Sequence, residues 1–246
     1  MKHYFETFTV NDNEVDEFGR IRIQILQKKI QNASDKHGYL LGFGFKDMNQ
    51  IGLFWVVTRL MVEINILPII NQKITIETWL ESPSSAGINR FYRLVDIDKK
   101  CLISGVAKWS LVRRDTLRLV KTNEFNFISD LEFDDEPIQF SSPILKKIPL
   151  QASDSSQYHI KRKVSPRELD ENNHVNNTVY IQYVIDGLKN SLDIAMYQIS
   201  YVSPLYENDH FEIYYFEMNN QIIAQGYQIL PTEEMTLSFQ TLLIKK

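Results

Sequence analysis

Cysteine is nearly absent from this sequence: Cys101 is the only one among 246 residues. No internal disulfide can form, and cysteine-based metal clusters are excluded. Long apolar runs are missing as well. No stretch approaches the roughly 20 apolar residues of a membrane span, and Met1-Lys2-His3-Tyr4-Phe5-Glu6 lacks the apolar core of a signal peptide. Nor is there an excess of positive charge. The 27 Lys and Arg stand against 31 Asp and Glu, a formal net charge of -4, which gives no support to nucleic-acid binding. These absences lead to the expectation of a soluble cytoplasmic protein without a cofactor or metal, binding no nucleic acid and inserting in no membrane.

What remains is ordinary globular material, 43% hydrophobic and 24% charged, long enough for one large domain or two small ones. A weak internal repeat favours two. At an offset of 154 residues Tyr4 matches Tyr158, Val10 matches Val164, Glu14 matches Glu168, Asp16 matches Asp170 and Glu17 matches Glu171. Each copy opens with a strand-like segment, passes a polar turn and enters a helix-like segment. Leu26, Ile30, Ala33 and His37 share one helix face, with Gly38 placed to stop it. Tyr180, Val184 and Leu188 give a shorter version with Asn190 near its end.

Strand patterns rich in Val, Ile, Thr and aromatics follow each helix. They run over 52–63, 73–80, 89–96 and 102–113, then 195–202, 210–218, 222–230 and 235–244. Pro68 and Pro204 precede the next strand at similar places. Between the copies, an acidic run (Glu132 to Glu136) and Pro137, Pro143 and Pro149 read as an extended linker. One helix wrapped by an antiparallel sheet, built twice, is an α+β architecture.

The most polar stretch is Glu168-Leu169-Asp170-Glu171-Asn172-Asn173-His174-Val175-Asn176-Asn177. It sets a carboxylate, a carboxamide and an imidazole at alternate positions just before an apolar helix. A packed core would need a buried partner for each group, so the stretch belongs to a surface, a helix start or a site. Taken singly, Asp170 or Asn172 reads as a cap, and Asn176 and Asn177 as turn-fixing residues. The first copy reads Asp16-Glu17-Phe18-Gly19-Arg20-Ile21-Arg22, so its carboxylate survives while Phe18 and Arg20 replace Asn172 and His174.

Four stretches in order resemble the acyl-acyl-carrier-protein thioesterases of plants and bacteria, which are built as two fused hotdog domains. Trp55-Val56-Val57-Thr58-Arg59-Leu60 resembles the family's Trp-x-x-Thr-Arg strand, and Ile76-Glu77-Thr78-Trp79 its following Thr-Trp strand. Trp109, with Thr116, Arg118 and Leu119, resembles the strand and turn closing the first hotdog. Asp170 to Asn177 resembles the Asp-x-Asn-x-His-Val-Asn-Asn motif. The resemblance spans residues 4 to 230.

The resemblance implies a thioesterase of fatty acid biosynthesis that hydrolyses fatty acyl-acyl-carrier-protein and releases free fatty acid. Asp170 would be the catalytic carboxylate, Asn172 would position the attacking group or thioester, and His174 would assist proton transfer. Cys101 lies in the other half, so a cysteine nucleophile is not expected. Where family members often carry a further acid or cysteine, this chain has Tyr201-Val202-Ser203-Pro204-Leu205 and no acid until Glu207. The implied layout is an N-terminal, catalytically degenerate, substrate-binding hotdog (1–122), a linker (123–156) and a catalytic C-terminal hotdog (157–246). Each is a long helix wrapped by antiparallel sheet.

Trp55, Trp79 and Trp109 read as core, although an acyl tunnel would use such residues too. Lys161-Arg162-Lys163 and Arg113-Arg114 read as solvated faces, and as the basic clusters most able to meet an acidic carrier. An acyl-CoA thioesterase and a non-catalytic acyl-thioester-binding hotdog protein are the alternatives, because the fold hosts several functions. The intact Asp170, Asn172 and His174 set argues against the second. Acyl chain length stays open, as does the choice between a self-paired monomer and a homodimer.

Overall fold

The computed structural model describes residues 1–246 apart from 123–124, 126–127, 129–130, 137 and 190–191. Pro137 and Asn190, singled out above, therefore lie outside the described residues. The chain divides into two compact units, Met1–Leu145 and Lys146–Lys246. The first contains β1 (His3–Thr9), α1 (Ile23–Leu40), α2 (Phe45–Gln50), β2 (Leu53–Ile64), β3 (Lys73–Leu80), β4 (Ile88–Val95), β5 (Cys101–Arg113) and β6 (Leu119–Val120). Its antiparallel sheet has the order β1-β3-β4-β5-β2, with β6 paired to β5.

The second unit contains β7 (Tyr158–Lys163), α3 (Val179–Asp186), β8 (Ile194–Tyr201), β9 (His210–Met218), β10 (Gln221–Ile229) and β11 (Met235–Lys245). Its order is β7-β9-β10-β11-β8, the same topology strand for strand. The expected α+β architecture of two hotdog domains, helix against antiparallel sheet, is thus observed. All eight predicted post-helix strands form, with ends moved by one residue at most places.

The repeated helices α1 and α3 differ in length, and the residue beneath each explains why. In the second unit Tyr158 pairs with Tyr215. The Tyr215 hydroxyl donates to the Val184 carbonyl at 3.0 Å, satisfying an end-of-helix acceptor. A Cβ on Gly187 would lie 2.0 Å from that hydroxyl, so only glycine lets the chain pass. The helix stops at Asp186, and Leu188 falls beyond it.

In the first unit the matching pair is Tyr4 with Thr78. The smaller Thr78 leaves room for α1 to continue about two turns past the matching point, Ala33. Gly38, predicted to end α1, is helical. The left-handed residue that follows the helix is Gly42 (φ 77°), because nothing at Gly38 opposes continuation.

The extra length carries polar groups into the core. Buried Ser34 is 2.8 Å from the Tyr92 hydroxyl, and His37 Nδ1 is 2.9 Å from an Arg90 guanidinium nitrogen. His37 also stacks on Tyr4. Arginine only donates, so Nδ1 accepts and the ring is neutral.

The segment between the sheets is not free of them. Ile128 packs with Leu80 and Ile88, Asp134 N–H donates to the Leu80 carbonyl at 2.9 Å, and Arg59 donates to the Leu145 carbonyl at 2.8 Å. On the second unit, Ile148 packs with Phe216 and Ile223, and Gln151 N–H donates to Gln225 at 2.8 Å.

The polar turns are duplicated hydrogen bond for hydrogen bond. Val175 N–H donates to the Leu205 carbonyl at 2.8 Å, as Ile21 N–H donates to the Pro68 carbonyl at 2.8 Å. Leu205 is therefore the counterpart of Pro68, and Pro204 stands one residue earlier. One difference follows at once. Leu205 has an N–H, buried, which donates to the Tyr180 hydroxyl at 3.2 Å. Pro68 has none, and the residue at the Tyr180 position is Leu26. The hydroxyl is present where a buried donor requires an acceptor.

Two outcomes follow. Burial first, and the Arg90 guanidinium second, push the His37 pKa from 6.5 down to about 4. Between those values the unfolded chain binds a proton that the folded chain does not. Stability therefore falls as pH drops below 6.5, by at most about 1.4 kcal/mol per pH unit. Urea unfolding across pH 4.5–7.5 should show this slope reduced in His37→Gln; equal slopes in both proteins would contradict it. Separately, Tyr180→Phe should cost about 1–3 kcal/mol by orphaning the Leu205 N–H, against no measurable change if that bond is immaterial.

Candidate active site

The site loop begins with a short helical turn, Pro166–Glu168, closed by a capping box in which Glu168 accepts the Ser165 N–H at 2.7 Å. The same Glu168 oxygen accepts the Tyr183 hydroxyl at 2.7 Å. Burial and this carboxylate together raise the Tyr183 pKa. The first copy has Glu14 accepting the Asn11 N–H at 3.0 Å, and there the partner from the helix is Lys29, at 2.7 Å. A charged pair in one unit matches a neutral hydrogen bond in the other.

Asp170 then organises the turn. Its Oδ1 accepts the N–H groups of Asn172 at 2.8 Å and His174 at 3.2 Å. Its own N–H donates to the His174 carbonyl at 2.8 Å, and its carbonyl accepts from Asn173 at 3.1 Å. Asn173 adopts a left-handed φ of 60°, which asparagine tolerates and which Gly19 adopts in the first copy (φ 72°). Asp16 Oδ1 likewise accepts from Phe18 and Arg20, both at 2.9 Å. The carboxylate is thus a building element of the turn in both units.

The second oxygen separates them. Asp16 Oδ2 takes the Arg20 Nε–H at 3.1 Å. Among the described residues, Asp170 Oδ2 has no hydrogen-bond partner, and neither does the Asn172 carboxamide or either ring nitrogen of His174. All three residues are half-buried. The structure brings all three onto one four-bond turn, with Asp170 Oδ2, the Asn172 carboxamide and the His174 ring nitrogens left over after the turn's own bonds are made.

Helix α3 starts farther on than the motif. Asn176 forms its entrance, with Oδ1 accepting Thr178 N–H at 3.0 Å and the carbonyl accepting Val179 N–H at 2.9 Å. This is the structural role read for Asn176. Asp170 caps its own turn rather than the helix.

Tyr206 was not singled out by sequence. It forms an isolated backbone bridge with His174, and the rings meet edge to face, 4.9 Å apart at 87°. The corresponding bridge in the first unit joins Arg20 to Ile69. A second repeat offset, 137 residues from Ile69 to Tyr206, would have exposed it. Glu207, next in the chain, is exposed and has no bonded partner among the described residues.

The other motif residues build the first unit. Thr58 sits at a register shift of β2 and donates to the Lys108 carbonyl at 3.2 Å. Buried Trp79 stacks between His3 and Phe91. Of the basic clusters, Lys161 pairs with Glu212 and Arg162 with Asp186, while Arg113 is exposed.

Comparison with known proteins agrees with this architecture. The family profile of the acyl-ACP thioesterase N-terminal domain matches residues 1–126, and that of the C-terminal domain residues 149–239. The chain is 30% identical over 198 residues to the chloroplastic oleoyl-acyl carrier protein thioesterase 1 of Arabidopsis thaliana, covering 75% of this chain and 54% of that protein. It is 25% identical over 198 residues to a chloroplastic palmitoyl-acyl carrier protein thioesterase of Gossypium hirsutum, covering 75% and 46%. The chain thus spans about half the length of the curated relatives it matches.

Two solved structures share the fold with a TM-score of 0.86 each. One is an acyl-ACP thioesterase from Bacteroides thetaiotaomicron, 20% identical, covering 99% of this chain and 98% of that one. The other is the 12:0-ACP thioesterase from Umbellularia californica, 18% identical, covering 99% and 97%. With both domain profiles matched in order across the repeated fold, this chain belongs to the acyl-ACP thioesterase family.

Proposed function

We propose that this chain hydrolyses fatty acyl-acyl-carrier-protein thioesters, with Asp170, Asn172 and His174 as its catalytic residues. The observation that carries the reading is the Oδ2 atom of Asp170. It is without a hydrogen-bond partner among the described residues, while its counterpart on Asp16 is held by Arg20. A turn-forming carboxylate needs one oxygen; chemistry needs the other.

In this reading Oδ2 either takes a proton from the water that attacks the thioester carbonyl carbon, or attacks that carbon itself to form a mixed anhydride that water then hydrolyses. The Asn172 carboxamide orients the attacking group or the carbonyl. His174 carries the proton between water and the departing sulfur. Thiolate is a good leaving group, so little acid assistance is required. The C–S bond breaks, and the products are a fatty acid and the carrier's free thiol. The first hotdog domain (1–122) binds the acyl group, residues 123–156 connect, and residues 157–246 carry catalysis. Cys101 lies on β5 of the first unit and takes no part.

The test is release of free thiol from acyl-acyl-carrier-protein, with acyl-CoA as a parallel substrate across chain lengths. Asp170→Asn retains an Oδ1 acceptor for the turn and removes the charge. It should lower turnover by about 10²–10⁴-fold without changing the melting temperature, and Asn172→Ala and His174→Ala should each lower it as well. Undiminished turnover in Asp170→Asn would sink the assignment. Comparable turnover of acyl-CoA would overturn the carrier preference alone.

A further inference from the structure

We infer that Tyr206 is a positioning residue that fixes the rotamer of His174; the inference rests on the catalytic reading of His174 given above. The imidazole has no hydrogen-bonded ring nitrogen among the described residues, so no polar contact with any of them sets its orientation. Its ring contact is Tyr206, edge to face at 4.9 Å and 87°, a preferred aromatic geometry.

The Tyr206 backbone is held well enough to serve as a reference point. Leu205, just before it, accepts from Val175 N–H at 2.8 Å and donates to the Tyr180 hydroxyl at 3.2 Å. Tyr206 N–H donates to Asp209 Oδ2 at 2.8 Å, and Asp209 N–H returns a bond to the Tyr206 carbonyl at 3.1 Å. Gln228 on β10 donates to the same Asp209 oxygen at 2.7 Å, tying the turn to the sheet. The backbone bridge from Tyr206 to His174 completes the connection.

The first unit serves as an internal control. It keeps the backbone bridge, between Arg20 and Ile69, and the reciprocal bonds, with Gln72 in the place of Asp209. It lacks both rings. Arg20 instead lies over Phe18, 4.9 Å from the ring centre, and pairs with Asp16. The scaffold therefore does not require an aromatic residue at this position; the pair occurs where the imidazole occurs. Tyr206 is 43% exposed, so it contributes little to the core, and its hydroxyl has no bonded partner among the described residues. The ring face and edge carry the role.

The test compares Tyr206→Ile, which installs the first unit's residue, with Tyr206→Phe, His174→Ala and the double variant Tyr206→Ile/His174→Ala. Tyr206→Ile should lower kcat by about 10-fold to 100-fold, with KM within about twofold and an unchanged melting temperature. Tyr206→Phe should retain wild-type kcat. In the His174→Ala background the Ile substitution should have no further effect. The His174 ring protons should show a ring-current shift in wild type and Tyr206→Phe that is lost in Tyr206→Ile. Unchanged kcat in Tyr206→Ile while His174→Ala is impaired overturns the positioning role alone, as does a fully additive double variant. Unchanged kcat in His174→Ala overturns the catalytic reading and the positioning role together.

Discussion

The bond on which the site depends is a carboxylate oxygen gathering two backbone N–H groups. Asp170 Oδ1 does this for Asn172 and His174, and Asp16 Oδ1 for Phe18 and Arg20. Five residues are thereby closed into a tight turn between a strand and a helix, with a left-handed residue at its fourth position. The N–H groups of Asn172, His174 and Arg20 are half-buried and would be costly without an acceptor, so the aspartate is required by the scaffold before any chemistry is asked of it. Once the turn is closed, the second oxygen is surplus. Arg20 consumes it in the first unit, and in the second it is left over.

Divergence between the two units follows the same accounting of partners. A proline at 68 removes a donor, and the residue at the matching helix position can be Leu26. A leucine at 205 restores the donor, and Tyr180 supplies the oxygen. The acid that caps the short helical turn meets Lys29 in one unit and Tyr183 in the other. Thr78 permits a long helix, whereas Tyr215 ends a short one by occupying the space of a side chain at 187. Each replacement is understandable locally, and none disturbs the strand order.

Much of this was legible in the sequence. Runs rich in Val, Ile, Thr and aromatic residues located the strands because such side chains fit a pleated, largely buried surface. The turn motif was legible because it occurs twice. The unequal engagement of the two Asp170 oxygens was not, since a single letter does not say which oxygen is engaged. Tyr206 was missed for a different reason. The first unit carries 17 more residues between turn and strand, the difference between offsets of 154 and 137, so one alignment register could not cover both parts. The end of α1 was misplaced at Gly38 because a glycine stops a helix only where the chain must turn left-handed, and that occurs at Gly42.

On the proposed reading, one turn is built twice and given chemistry once. The most direct measurement is denaturant unfolding and thiol release for Asp16→Ala and Asp170→Ala side by side. Both should lose similar stability, about 1–3 kcal/mol, as their N–H pairs lose an acceptor, and only Asp170→Ala should lose thioester hydrolysis. An Asp170→Ala protein that unfolds like wild type would contradict the structural half of the account. A folded Asp16→Ala protein that loses hydrolysis as completely as Asp170→Ala would contradict the other half.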